Sequence, residues 1–139
     1  MAIQYSGVTQ GDQLRSINNN IGTATAGSLV IYSGAQAARA DTATSPTGPL
    51  VTITLPTSGP GPMTIANGTT AAAAVTTLAG TWSGVASGSG TALSWRIFNN
   101  TGTVCIVQGG MSDLVLNNTS ISSGQTVSVT QFAITAGNF

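Results

Sequence analysis

The large apolar side chains of this chain come in short bursts, and each burst is cut off by Gly, Pro, Ser, Thr or Asn. Leu29-Val30-Ile31-Tyr32 stops at Ser33-Gly34, and Val51, Ile53 and Leu55 stop at Pro56. Leu93, Trp95 and Ile97 stop at Asn99-Asn100-Thr101-Gly102. A helix-based core needs longer apolar periodicity than this. Short strands with turn signals between them indicate an antiparallel sandwich or barrel. The expected fold is all-β: an antiparallel β-sandwich, jelly-roll-like, with one short N-terminal helix. It is expected to form a single domain over residues 1–139, with residues 1–22 as an arm.

Within that frame the strands can be placed. Residues 50–55 alternate Val51, Ile53 and Leu55 with Thr52 and Thr54, a half-buried pattern. Residues 78–86 read as one strand interrupted by Gly80 and Gly84, where Gly signals a bulge or a close neighbour. Residues 91–98 carry the strongest strand signal, with Leu93, Trp95 and Ile97 on one face and Ser94 and Arg96 on the other. Residues 104–108 return from the Asn99–Gly102 turn, and Gly109-Gly110 is expected to break them. Residues 114–116 and 126–135 supply the last two strands. In 126–135 the apolar parity changes between Val129 and Phe132, which predicts a bulge near Thr130-Gln131. Residues 35–49 and 56–62 read as loops. Residues 63–77, with their Ala tract, favour neither helix nor strand.

The helix is expected over residues 9–22. Thr9 serves as the cap, with Asp12 three residues on. Leu14, Ile17 and Ile21 share one face, and Gly22 ends the helix.

The core must rest on Leu29, Ile31, Leu50, Ile53, Leu55, Trp82, Leu93, Trp95, Ile97, Phe98, Ile106, Leu114, Leu116, Phe132 and Ile134. Much of the remaining apolar content is Ala, which buries little area. Such a monomer gains from association with further copies.

Charge narrows the chemistry. The chain has three arginines (Arg15, Arg39, Arg96), three aspartates (Asp12, Asp41, Asp113) and no Lys, Glu or His. A serine nucleophile has no imidazole or amine to act as its base. Three scattered acids do not form a carboxylate pair, and one cysteine without histidine does not form a zinc site. No basic patch suited to nucleic acid exists, and no apolar run approaches the length of a membrane span. Expected are no enzyme activity, no cofactor, no metal, no direct nucleic-acid contact and no membrane contact. The start of the chain lacks the pattern of a signal peptide.

Single residues carry two readings each. Cys105, inside Val104-Cys105-Ile106-Val107, reads as a small buried hydrophobe rather than a reactive thiol. Trp82 and Trp95 read as core rather than as a sugar-stacking platform. Arg96 reads as a solvated strand residue, or alternatively as an outward group pairing with an Asp across a subunit contact. Arg39 and Asp41 are interface groups or merely solubilising ones.

Several segments taken in order resemble small virion structural proteins of tailed bacteriophages and prophages. They are Leu29–Gly34, Gly48–Pro56, Gly80-Thr81-Trp82-Ser83-Gly84, Trp95-Arg96-Ile97-Phe98, Val107-Gln108-Gly109, Leu116–Ile121 and Phe132–Asn138. The Pro-Gly loop at 56–62 departs from that pattern. The resemblance implies a virion component of the capsid-decoration (cement) kind, on a β-sandwich and without catalytic residues. Its expected partners are the major capsid protein and copies of itself, as a homotrimer. Its expected location is the capsid surface, after synthesis in the cytoplasm of the bacterial host. Leu14, Ile17, Ile21, Arg39, Asp41 and Arg96 are the expected interface residues. A tail, baseplate or head-fibre component is the first alternative, and a carbohydrate-binding host-attachment module the second.

Overall fold

The computed structural model describes residues 6–22, 24–57, 61–67 and 75–135. Its first element is a helix, α1 (Gly7–Ile21). Its cap is Ser6 rather than Thr9, because the Ser6 side chain accepts from the Thr9 amide at 3.2 Å. Gly22 ends it with φ +121, and the Gly22 amide donates to the Asn18 carbonyl at 3.2 Å.

Among the described residues eleven strands follow: β1 (Ser28–Tyr32), β2 (Pro49–Thr54), β3 (Met63–Ala66), β4 (Val75–Leu78), β5 (Ser83–Val85), β6 (Gly90–Thr91), β7 (Ser94–Phe98), β8 (Cys105–Gly110), β9 (Leu114–Leu116), β10 (Ser120–Ile121) and β11 (Thr126–Thr135). All their pairings are antiparallel. One sheet runs β2-β1-β7-β8. The other runs β3-β4-β11-β5, with β9 also on β11, and β6 and β10 form a separate pair. The protein is therefore mostly β, with antiparallel sheets and one short helix.

The two sheets share one apolar core. Trp95, from β7, meets Phe132, from β11, edge-on at 5.3 Å, and Trp82 lies 5.1 Å from the same ring. Around them Leu29, Ile31, Ile53, Leu55, Ile97, Leu114 and Val127 are enclosed. Both tryptophans are buried, as the strand pattern around them implies. Each indole N–H also finds a carbonyl: Ala79 for Trp82 at 3.1 Å and Gly110 for Trp95 at 2.6 Å.

The structure departs from the sequence expectations at several points. Leu93 is 53% exposed, because β7 begins only at Ser94 and Ala92 turns inward instead. Residues 78–86 are not one strand. Leu78 ends β4, Gly80 turns with φ +70, and β5 starts at Ser83. Gly84 has the predicted close neighbour: a Cβ there would lie 2.9 Å from the Thr52 carbonyl of β2. Gly109-Gly110 does not break β8, since both glycines belong to it. The bulge in β11 falls where parity predicted, with the register to β9 shifting between Val129 and Gln131. Of the unassigned stretch 63–77, residues 63–66 and 75–77 are strand. Residues 68–74 and 58–60, the latter within the Pro-Gly loop, lie outside the described residues.

Candidate functional site

The long connection between β1 and β2, residues 33–48, is the feature around which polar chemistry gathers. Its two ends extend the β1–β2 ladder: the Ser33 amide donates to Gly48 and the Gly34 amide to Thr47, both at 2.9 Å. Gly48, with φ +67, makes the turn back into β2. Between these ends the loop folds over the outer face of β7 and β8.

Three side chains of that face hold it there. The Ser94 hydroxyl donates to the Gly34 carbonyl at 2.7 Å. Gln108 Nε2 donates to the Ala37 carbonyl at 2.7 Å. Arg96 donates from Nε to Gln108 Oε1 at 3.1 Å, from Nη1 to the Thr42 carbonyl at 3.2 Å and from Nη2 to the Arg39 carbonyl at 3.3 Å. Arg96 and Gln108 are cross-strand partners in the β7–β8 register, which places guanidinium and amide side by side. The inner face of β7 meets the core through Trp95 and Ile97, and the outer face is covered by the loop. Hence Ser94, Trp95, Arg96 and Ile97 are all buried.

This corrects both sequence readings of Arg96. It is 1% exposed, neither solvated nor paired with an Asp, and carbonyl and amide oxygens accept its hydrogen bonds. A guanidinium remains charged in a protein, and burying it without a carboxylate is costly unless dipoles replace water. Here the loop backbone and Gln108 supply those dipoles.

A cavity of about 330 Å³ lies beside this cation, lined among others by Asp41, Thr42, Arg96, Thr103 and Cys105. Cys105 is half-buried, not enclosed, and its thiol donates to the Val107 carbonyl at 3.5 Å. Burial pushes the thiol pKa up from its ordinary value, while Arg96 and the Val107 bond pull against it. The net rise disfavours the thiolate, the form that acts as a nucleophile. A second cavity, about 380 Å³, lies between β8 and the end of β11, lined by Trp95, Val107, Gln108, Asp113 and Ala133–Thr135.

The remaining expected interface residues fall in different places. Leu14 packs with Ile65 and Ile134, Ile21 is fully enclosed in the main core, and Ile17 is partly buried against both groups. Leu14 and Ile21 are thus corrected from partner-facing to internal: they anchor α1 to its own sheets. The helix is further tied by Asn18, whose Oδ1 accepts the Met63 amide at 3.2 Å in a buried setting. Arg39 and Asp41 form an exposed pair, Nε to Oδ1 3.0 Å and Nη2 to Oδ2 3.2 Å, at the outer part of the loop. Arg15 pairs with Asp12 at 2.6 Å and donates to Asn67 Oδ1 at 2.8 Å. Such exposed pairs contribute little stability.

Sequence reasoning missed Ser94, Gln108 and Thr42. Polar alternation on β7 and β8 was visible, but it looks the same whether water or a folded loop lies over that face. Among the described residues no group of three or more metal-ligating side chains forms, and no helix is long and apolar enough to cross a membrane. Comparison with protein-family models, with curated proteins and with solved structures gave no match.

Proposed function

We propose that this chain is a structural component of a tailed-bacteriophage particle, a capsid decoration (cement) protein that binds the major capsid protein and copies of itself as a homotrimer. It would act on the capsid surface after synthesis in the host cytoplasm. A jelly-roll-like winding belongs to the same proposal. It is supported by the central place of the non-consecutive strands β1 and β7 in one sheet.

The observation that carries this reading is the near-absence of ionisable side chains, three arginines and three aspartates in 139 residues. A neutral surface gives little colloidal repulsion, which suits a protein held in an assembly better than one free at high concentration. Contacts between neutral hydrogen-bonding surfaces also depend weakly on salt. The resemblance to virion proteins points the same way. The proposed work is mechanical, with no reaction and no cofactor. The prefolded 33–48 loop, with Arg39 and Asp41 on its outer side, is the part we assign to capsid contact.

The test is the protein content of purified particles from the strain that carries the gene. Expected is this chain on the head, in a fixed ratio to the capsid protein, and lower heat resistance of heads that lack it. Particles that never contain it overturn the proposal. A location on tail or baseplate replaces it with the tail-component reading. The buried Trp82 and Trp95 leave the sugar-binding alternative without its stacking face.

A further inference from the structure

Of the three carboxylates, two have cations beside them: Asp12 pairs with Arg15, and Asp41 with Arg39. Asp113 is exposed and, among the described residues, forms no ion pair. Its one hydrogen bond there is accepted by Oδ2 from the neighbouring Ser112 hydroxyl, at 3.4 Å.

This carboxylate stands at the cavity of about 380 Å³ between β8 and the end of β11. β8 is the last strand of its sheet, so the core is open to approach along that side. Val107 lies opposite Ile97 in the β7–β8 register and shares its core-facing side. Ala133 and Ile134 face it from the other sheet. All three are only partly buried, which leaves an apolar wall within reach of solvent. The Gln108 amide is already engaged by Arg96 and Ala37. Asp113 is the only ionisable side chain of the lining, which therefore carries one negative charge when it is ionised.

Apolar walls with one polar anchor are the usual make-up of a binding cavity, and the volume falls in the usual range of about 300–1,000 Å³. Walls and anchor together suit a cation on an aliphatic stem, whose methylenes cover the walls while its head stays at the wet rim. An arginine fork would call on both carboxylate oxygens. Here the Ser112 hydroxyl already sits on Oδ2, and Oδ1 is left for a compact ammonium. The chain contains no lysine, so a lysine ammonium must come from a different protein.

We propose that this cavity takes the side chain of a lysine on a partner protein, with the ammonium on Asp113 and the four-carbon stem against Val107, Ala133 and Ile134. The inference goes beyond the proposed function and holds whether that partner is a capsid protein or another. Particle composition does not enter its test.

The experiment is an NMR titration of the full chain at constant ionic strength, following the Val107 and Asp113 amides and the Trp95 indole N–H. The probes are N-acetyl-lysine amide, n-butylammonium, n-propylguanidinium and 1-butanol. Expected are shifts at these signals with N-acetyl-lysine amide, with a Kd of about 1 mM or weaker. In Asp113→Asn, shown to be folded by an unchanged melting curve, binding should be at least about threefold weaker, as loss of an exposed ion pair implies. No shift with N-acetyl-lysine amide, or an Asp113→Asn protein that binds it within threefold of wild type, overturns the inference. Binding of n-butylammonium alone assigns the cavity to free amines, and the docked lysine falls. Equal binding of 1-butanol reduces the site to its apolar wall, and tighter binding of n-propylguanidinium replaces lysine with arginine; either result overturns the assignment.

Discussion

Replacing Gly109 by Ala sets two rules against each other. Alanine in a strand normally stabilises relative to glycine by about 0.5–1 kcal/mol, since glycine loses more backbone freedom on folding. At Gly109, however, the Trp95 ring lies across the backbone. An added Cβ would stand 2.5 Å from Cζ2, 2.9 Å from Cε2 and 3.1 Å from Nε1 of that ring. The ring is not the free end of a flexible side chain. It is 2% exposed, set edge-on to Phe132 at 5.3 Å, and its N–H is bonded to the Gly110 carbonyl at 2.6 Å. Overpacking costs about 1–3 kcal/mol, and disturbing the ring pair and the indole bond costs roughly 0.5–1.5 kcal/mol each. Less the backbone gain, the net destabilisation spans about 1–5 kcal/mol and centres on about 3 kcal/mol. For a chain of this size the central value lowers Tm by roughly 6–12 °C. Gly110→Ala is the control. Its Cβ would meet only Gln36 Oε1 and the Leu93 carbonyl, both at 3.9 Å, which is ordinary contact. Urea and thermal melts, with near-UV dichroism to follow Trp95, measure both. A Gly109→Ala protein as stable as wild type, or a loss equal to that of Gly110→Ala, refutes the argument from the ring.

Three further expectations concern the loop, the helix and the thiol. Trypsin should cut native protein first at exposed Arg39 and leave buried Arg96 intact. Gln108→Ala, which deprives Ala37 and Arg96 of their partner, should speed the cut at Arg39, and an unchanged rate would show that the loop is not held as described. Asn18→Ala leaves the buried Met63 amide without its acceptor and should cost about 1–3 kcal/mol in urea unfolding; a loss below about 0.5 kcal/mol, the usual range of surface substitutions, would refute it. The folded-state pKa of Cys105 is raised, so its contribution is fully present below the pKa of the unfolded thiol. It should be lost as pH rises through the alkaline range towards the folded value. Stability measured across that range should decline less in Cys105→Ala, and equal slopes would contradict the assignment.

Strand positions were largely legible in the sequence, because the alternation in residues 50–55 and 126–135 reflects a pleat with one face dry. Even the β11 bulge could be read, since inserting one residue reverses the parity of everything after it. The helix was readable from Leu14, Ile17 and Ile21, whose spacing marks a buried stripe. What that stripe would meet was not readable, and the structure spends Leu14 and Ile21 on the protein's own sheets.

Gly109 shows where local signals fail. As a residue type it signals a break. In the fold it is the gap that admits the Trp95 indole from the paired strand β7, a cross-strand contact that the residue type alone does not reveal. Arg96 shows the same at the site. Its alternation with Trp95 placed it on the polar face, which was right. Whether that face meets water depends on a loop more than fifty residues earlier in the chain. Sequence by itself determined the strand class, the turn positions and the scarcity of charge, because these follow from local stereochemistry and composition. Only the tertiary structure decided that one arginine lies buried beneath carbonyl oxygens while one aspartate stays exposed, because burial is set by what packs from elsewhere in the chain.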